Sequence, residues 1–226
     1  MKEGDVAKII CGAHIDGYAA NAAVTIVVGD AKVDGRKADV ILAAHNALKA
    51  AERVIRDQGT NAEVTAAINK VVAEYDCNAL EGVLSHIVKK YCIDGNKAII
   101  GKEVAGQQVE EWTFVPGEVI HLDIYVSTGE GKPKLAEHRT TVYKRELQNM
   151  YNLKIQKSRA FFSEVNKRFP TLPFALRAFE DQTGAKVGIR ECIDHELLQP
   201  YPVLIEKDGE YVAHFKSTLI ILAKST

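Results

Sequence analysis

The chain has 226 residues, of which 46% are hydrophobic and 26% are charged, and its formal net charge is −1. This composition is typical of a globular protein with a sizeable core, and it argues against a protein that binds polyanions over its whole surface. No apolar run approaches the roughly 18 to 20 residues that cross a bilayer, and MKEGDVAK at the start lacks the apolar stretch of a signal peptide. We therefore expect an intracellular protein without membrane insertion.

The first third of the sequence predicts a β-hairpin followed by two helices. Strands are expected near residues 6–11 and 19–28, because apolar residues there flank a Gly-rich polar stretch. In GRKADVILAAHNALKAAERVIRDQG, apolar residues recur at every third or fourth position up to Gly59, which indicates a helix. Thr60 and Glu63 form a capping box in front of a second helix, AEVTAAINKVVAEY.

The central region predicts strands. Residues 80–93 are intermediate between strand and irregular loop, since Gly, Ser and β-branched residues are mixed there. After a Pro-Gly turn, residues alternate along FVPGEVIHLDIYVSTGEGK, which predicts a strand with a polar face that carries His121, Asp123 and Tyr125. The segment RTTVYKR at 139–145 is expected to pair with this strand.

The C-terminal third predicts helices and a final hairpin. KSRAFFSEVNKRF and LPFALRAFEDQTG are expected to form two amphipathic helices separated by Pro170 and Pro173, with a shorter helix near KVGIRECIDHE. The segment VLIEKDGEYVAHFKSTLIIL predicts a hairpin with its turn at Asp208-Gly209. The order of elements predicts an α+β fold, in which a mostly antiparallel sheet is backed by helices on one side.

A basic stretch between residues 144 and 168 contains seven basic and two acidic side chains, a local charge of +5. Its basic residues are Lys144, Arg145, Lys154, Lys157, Arg159, Lys167 and Arg168. Such a patch on a nearly neutral protein indicates a binding surface better than the overall charge does. The alternative is that Lys157, Glu164, Lys167 and Arg168 form only the solvated face of a helix.

The cysteines and two charged residues in apolar strands are further candidates for a chemical role. The four cysteines form neither a C-x-x-C pair nor a zinc spacing, so we expect buried free thiols at Cys11, Cys77, Cys92 and Cys192. Asp123 and Lys216 each interrupt a strongly apolar strand, and a charge on a buried strand face is costly unless it is paired. No nucleophile motif, phosphate loop or dinucleotide fingerprint is present.

Several long strings are distinctive along the whole chain: KIICGAHIDGYAANAAVTIVVGD, SRAFFSEV, LRAFED and HELLQP. They resemble the proliferation-associated, ErbB-receptor-binding protein family, a branch of the type 2 methionine aminopeptidases with the pita-bread (creatinase/aminopeptidase-like) fold. The resemblance implies a curved, mostly antiparallel sheet backed by helices, in a single domain over 1–226 with an insert-like basic segment near 144–168. Relative to that family, we expect a member truncated at both ends, with the N-terminal part of the fold missing.

Methionine aminopeptidases bind two divalent metal ions through two Asp, one His and two Glu, and the metals activate a shared water. Residue by residue, the resemblance places these ligand positions on Ile10, Asn21, His86, Asp123 and Lys216. Only His86 and Asp123 keep a potential ligand, and Lys216 would place a cation where the metals sit. The resemblance therefore implies no metal, no cofactor and no catalysis. From the residues alone, His86 is expected to be a partly buried histidine with satisfied hydrogen bonds.

The charges of Asp123 and Lys216 suggest a structural salt bridge that replaces the metals. The alternative is that Lys216 extends its amine to solvent. For function, the resemblance implies a non-enzymatic regulator that binds structured RNA, the large ribosomal subunit and protein partners in growth signalling.

Links to ribosome biogenesis and to transcription and translation control follow from the same resemblance, as does a cytoplasmic and nuclear or nucleolar location. RNA contact is expected at the seven basic residues. Two alternatives stay open: a protein scaffold whose vestigial cleft grips a peptide, and an active metal-dependent aminopeptidase, against which Ile10 and Lys216 argue.

Overall fold

The computed structural model describes residues 1–107 and 109–223. They form two compact units. The first combines Met1–Lys134 with the segment from Glu206 onward, and the second comprises Leu135–Ile205. The sequence suggested one domain with an insert-like segment near 144–168, whereas the segment that forms the second unit runs from 135 to 205.

The described residues form short and long strands and four α-helices. The strands are β1 (Val6–Ile15), β2 (Tyr18–Val27), β3 (Asn78–Ala79), β4 (Leu84–Val88), β5 (Ala98–Ile100), β6 (Val119–Ser127), β7 (Lys134–Leu135), β8 (Val142–Arg145), β9 (Phe174–Ala175), β10 (Leu198–Pro200), β11 (Leu204–Ile205) and β12 (Val212–Ile220). The helices are α1 (Gly35–Val54), α2 (Asn61–Ala73), α3 (Gln156–Arg168) and α4 (Gln182–Asp194).

The first unit is built on one antiparallel sheet in the order β1-β2-β12-β6-β4-β5, with β3 also paired to β6. Side chains alternate along β6, so Ile120, Leu122 and Ile124 lie on one face, where they join the apolar core with residues of α1 and α2. The predicted α+β class, with an antiparallel sheet backed by helices, is confirmed.

The capping box at the start of α2 is also confirmed. Thr60 Oγ1 accepts from the backbone of Glu63 at 3.3 Å, and the Glu63 carboxylate accepts from the backbone of Thr60 at 3.1 Å. This reciprocal pair satisfies two helix N-terminal donors, which is why the helix begins at Asn61.

The second unit has a three-stranded sheet in the order β10-β8-β9. Its core is rich in aromatic side chains: Phe161, Phe174 and Phe179 lie with ring centroids 4.9 to 6.4 Å apart. The predicted pairing of residues 139–145 with β6 is wrong, because β8 pairs with β9 and β10 inside this unit.

The helix predicted over LPFALRAFEDQTG is also wrong. Phe174 and Ala175 form a short strand, and one 3-10 turn follows at Leu176–Ala178. Phe174 pairs with Tyr143 of β8, and its ring packs in the aromatic core, so this segment is held extended. The next helix, α4, begins only after Asp181, whose carboxylate accepts from the backbone of Gly184 at 2.8 Å.

The predicted final hairpin is correct in β12 but not in its partner. β11 pairs with β7, whereas β12 pairs with β6 and β2. The expectation of four buried thiols is wrong for Cys11, which is exposed, and for Cys92, which is half-buried. Cys77 and Cys192 are buried, and burial raises the pKa of Cys192 to about 12.

Candidate functional site

One face of the main sheet is polar, and we refer to it as the polar face. It lies opposite the helix-covered face because side chains alternate along each strand. The register sets Asp123 directly across from Lys216, and His121 across from both His86 and Thr218. The polar face carries Asn21, His86, His121, Asp123, Tyr125, His214, Lys216 and Thr218.

Asp123 is the centre of this face and contacts two side chains of β12. The ammonium of Lys216 lies 2.5 Å from Oδ2, and Nε2 of His214 lies 2.5 Å from Oδ1. Asp123 and Lys216 are each 17% exposed, so the lysine contacts the carboxylate instead of extending to solvent. Burial alone raises the pKa of Asp123, but the hydrogen bond from His214 and the charge of Lys216 hold it below its ordinary value.

The backbone of Asp123 is held from the other side. The N–H of Asp123 donates to Ser85 Oγ at 2.8 Å, and Ser85 Oγ lies 3.4 Å from the carbonyl oxygen of Asp123. Ser85 is buried on β4. Ser85 on β4 therefore holds the backbone of Asp123, while His214 and Lys216 on β12 hold its carboxylate.

His214 is fully buried between polar groups and an aromatic ring. Its ring stacks on Tyr125 with centroids 3.8 Å apart, and burial raises the pKa of the Tyr125 hydroxyl. Its backbone N–H donates to Thr25 Oγ1 at 2.7 Å, and that hydroxyl donates to the carbonyl of His214 at 2.8 Å. Within the described part of the chain, Nδ1 of His214 has no hydrogen-bond partner.

Asn21 belongs to a second cluster of hydrogen-bonded residues on the polar face. Its amide lies 3.3 Å from Nδ1 of His121, and Nε2 of His121 lies 3.2 Å from the carbonyl of Ala19. Because a carbonyl can only accept, Nε2 carries the proton and Nδ1 accepts from Asn21. Burial lowers the pKa of His121, which favours this neutral form.

The remaining sequence-predicted positions are placed apart from these contacts. Ile10 lies opposite Ala23 on β1 and is 60% exposed. His86 is half-buried, and its Nδ1 lies 3.0 Å from the carbonyl of Gly95. The structure thus brings Asp123 and Lys216 together, while Asn21 and His86 bond to other groups.

These residues do not fit a dinuclear metal centre. Over residues 1–107 and 109–223, no group of three or more His, Cys, Asp or Glu is arranged to hold a metal ion. Both oxygens of Asp123 are engaged, and one of them faces a lysine cation. A positive side chain beside the carboxylate opposes cation binding there.

Sequence reasoning missed His214, Thr25 and Thr218 as parts of this face. The available signal was the two-residue spacing that sets His214 and Thr218 on the same face of the strand as Lys216. Thr25 gave no such signal, because its partner is on a strand 189 residues away.

The predicted basic residues of the second unit fall into three groups. Lys154, Lys157 and Lys167 are exposed, and no ion pair is recorded for them within the described residues. Lys144 and Arg145 are half-buried on β8, and the guanidinium of Arg145 lies 5.8 Å from the centroid of the Phe162 ring.

The third group comprises Arg159 and Arg168, which are exposed but support the fold. Arg159 donates to the carbonyls of Leu153 and Lys154 at 3.0 and 2.7 Å. Arg168 pairs with Glu164 at 2.5 Å and lies 4.9 Å from the Phe169 ring centroid. The two arginines thus hold local structure, which leaves the three exposed lysines as the most accessible cations of the stretch.

Comparison with known proteins places this geometry in context. Residues 1–151 match metallopeptidase family M24. The chain is 48% identical to the Solanum tuberosum protein named ErbB-3 binding protein 1 over 98% of its length, but it spans only 57% of that relative. It is 42% identical to a Schizosaccharomyces pombe protein named curved DNA-binding protein, over its whole length and 60% of the relative.

Among solved structures, a thermophilic Arx1 superposes with a TM-score of 0.85 and 32% identity, covering 98% of this chain and 65% of Arx1. The chain therefore spans little more than half of these curated relatives. The resemblance to the ErbB-receptor-binding proteins and the pita-bread fold are confirmed. The protein belongs to metallopeptidase family M24.

Proposed function

We propose that this chain is a non-enzymatic regulatory protein that uses the M24 fold to bind structured RNA and the large ribosomal subunit. The observation that carries the proposal is the contact between Lys216 and Asp123 at 2.5 Å on the polar face. A protein cation occupies the carboxylate that a metal would need, so the face is suited to structural support and not to the activation of water.

Two other positions that the resemblance assigns to metal ligands also support a non-enzymatic role. If Ile10 and Asn21 correspond to the two aspartates of the enzymes, one offers only a hydrocarbon and the other a neutral amide that already bonds to His121. The names of two relatives refer to binding, to ErbB-3 in one case and to curved DNA in the other.

The charge distribution favours the second unit as the RNA-binding part. Leu135–Ile205 contains eleven Lys and Arg against eight Asp and Glu, a net charge of +3, whereas the rest of the chain carries −4. Lysines on an exposed surface neutralise phosphates without reading sequence, as expected for a protein that binds RNA by shape. A cytoplasmic and nuclear or nucleolar location is part of this proposal, as are protein partners in growth signalling. No helix in the described residues is long and apolar enough to span a membrane.

The structure decides which residues to change in a test. Reversing Arg159 or Arg168 would break contacts within the fold, so the informative variant is Lys154→Glu/Lys157→Glu/Lys167→Glu. A matched control reverses three exposed lysines of the first unit, Lys32, Lys70 and Lys207, with the same change in charge.

The experiment is a titration of each protein with purified large ribosomal subunits and with a structured RNA at two salt concentrations. We expect the first variant to lose about tenfold in affinity at low salt and to show a shallower salt dependence than the control variant. Equal losses in both variants would show that only overall charge matters. Binding that resists both salt and reversal would favour a protein scaffold that grips a peptide.

The absence of catalysis is tested separately. The chain is incubated with Mn²⁺, Co²⁺ or Zn²⁺ and with peptides that begin with methionine, and both metal content and free methionine are measured. We expect neither bound metal nor product above the buffer blank. Metal-dependent release of methionine would contradict the proposal and identify an active aminopeptidase.

A further inference from the structure

An exposed pair of stacked rings lies at the C-terminal end of α4 in the second unit. The ring of Tyr151 stacks on that of His195, with centroids 3.5 Å apart and planes 16° from parallel. His195 is half-buried, whereas Tyr151 is 36% exposed and does not belong to the aromatic core of the unit. His195 covers one face of the tyrosine ring, so the opposite face is open to a further planar group.

The segment that carries Tyr151 is fastened to the end of α4 on both sides of the ring. Before the ring, the amide of Asn149 donates to the carbonyl of Glu196 at 3.0 Å. After it, the carboxylate of Glu191 accepts from the backbone N–H of Lys154 at 2.7 Å. The ring is therefore fixed in place before any ligand binds, which lowers the entropy that binding costs.

The same contacts set the distance between the ring and a cation. The backbone N–H of His195 donates to the carbonyl of Glu191 at 3.2 Å, so the two residues lie on one helical face, one turn of about 5.4 Å apart. Because His195 holds Tyr151 and Glu191 holds Lys154, the ring and the lysine backbone are about one turn apart as well. The exposed lysine side chain can therefore reach the phosphate of a nucleotide whose base lies on the ring.

We propose that Tyr151 stacks on an unpaired RNA base while Lys154 contacts the adjoining phosphate. The contact rests on the proposed RNA-binding function and narrows it to RNA with a bulged or looped-out base. Bases inside an uninterrupted duplex stack on one another, so only an unpaired base can reach the ring, whereas lysines alone bind any duplex. Two exposed acids, Asp194 and Glu196, flank His195, so repulsion directs the phosphates to the Lys154 side.

Two RNA duplexes with the same base pairs test this selectivity, one uninterrupted and one with a central bulged adenosine. The unmodified chain should bind the bulged duplex about tenfold more tightly. Tyr151→Leu should lose that preference but keep its affinity for the uninterrupted duplex, and Tyr151→Phe, which keeps a ring, should behave as wild type. Tyr18→Leu is the matched control, because it removes an exposed tyrosine of the first unit. Circular dichroism checks that each variant folds.

A photochemical cross-link reports the contact without any change in the protein. The bulged nucleotide is replaced by 5-iodouridine, which on irradiation couples to an aromatic side chain stacked on it, and mass spectrometry identifies the residue. The cross-link should map to Tyr151. Equal affinity of the unmodified chain for both duplexes, an unchanged preference in Tyr151→Leu, or a cross-link elsewhere overturns the stacking while lysine-dependent RNA binding stands. If the unmodified chain binds neither duplex, the proposed RNA-binding function fails together with the stacking.

Discussion

Lys216 and Asp123 lie directly opposite each other on β12 and β6, and their charged groups meet at 2.5 Å on a face that is mostly shielded from water. The pair is held further by His214, which bonds to the second carboxylate oxygen. A carboxylate fixed by two protein donors has little capacity left for an external ligand.

Replacing Asp123 should destabilise the protein more than replacing Lys216. Asp123→Asn leaves the Lys216 ammonium partly buried without a counter-charge, and we expect the free energy of unfolding to fall by about 2–4 kcal/mol. Lys216→Met should cost less, about 1–2 kcal/mol, because His214 still bonds to the carboxylate. Urea denaturation measures both values.

The control for this pair is Lys132→Met, which breaks the ion pair with Glu130 on the surface, where the side chains are 61% and 73% exposed. Its effect should stay within about 0.5 kcal/mol. If Asp123→Asn proves as mild as this control, the buried pair does not support the fold.

Stability should fall in two steps as the pH is lowered. Burial keeps the pKa of folded His121 below 6.5, so the unfolded chain takes up a proton first and stability declines as the pH falls from about 6.5. Asp123 has a folded pKa below 3.8, so its contribution is present above that pH and is lost only as the pH falls further.

The first step can be assigned to one side chain. His121→Gln keeps a donor for the carbonyl of Ala19 but cannot titrate, so its stability should be flatter than wild type between pH 7 and 5. Unfolding midpoints in urea at half-unit pH intervals give the comparison. An unchanged decline in this variant would assign the proton uptake to another group.

The hydroxyl of Thr25 should contribute strongly to the free energy of unfolding. Thr25→Val is nearly isosteric but removes both hydrogen bonds to the backbone of His214, and it leaves a buried N–H without its acceptor. We expect a loss of about 1–3 kcal/mol by thermal or urea unfolding. Thr25→Ser keeps the hydroxyl and should lose clearly less, so equal losses would point to packing and not to hydrogen bonding.

Arg168 should act as a structural residue of the second unit. Its guanidinium lies near the rings of Phe169 and Phe179 and donates to the carbonyl of Ala178 at 3.0 Å. Lysine cannot reproduce the planar stacking, so Arg168→Lys should destabilise the protein by about 1 kcal/mol. RNA affinity, measured where the variant is folded, should stay close to wild type, in contrast to the triple lysine variant.

Local signals in the sequence were sufficient for α1, α2 and β6. Thr60 and Glu63 marked a helix start through contacts only three residues apart, and alternation along β6 separated its polar and apolar faces. These features depend on neighbours in sequence, so the sequence alone could reveal them.

Partners distant in sequence could not be read in the same way. The segment at 139–145 looked like a neighbour of β6, yet Val142 and Tyr143 pair with Ala175 and Phe174. Helical spacing in LPFALRAFEDQTG reflected the packing of Phe174 and Phe179 into an aromatic core. In the candidate site, Asp123 and Lys216 were visible as charges in apolar strands, but the hydroxyls of Thr25 and Thr218 were not.

The pairing between β2 and β12 has a consequence for local unfolding of the main sheet. Within the described residues, the backbone pairing there is a single bridge between Ala23 and Lys216, and the hydroxyls of Thr25 and Thr218 link the strands on either side. Side-chain bonds of this kind can break without disturbing the ladder within the β1–β2 hairpin or the one between β12 and β6. The hairpin should therefore detach as a cooperative unit below the energy of global unfolding, and its amide protons should exchange with solvent together and earlier than those of β6.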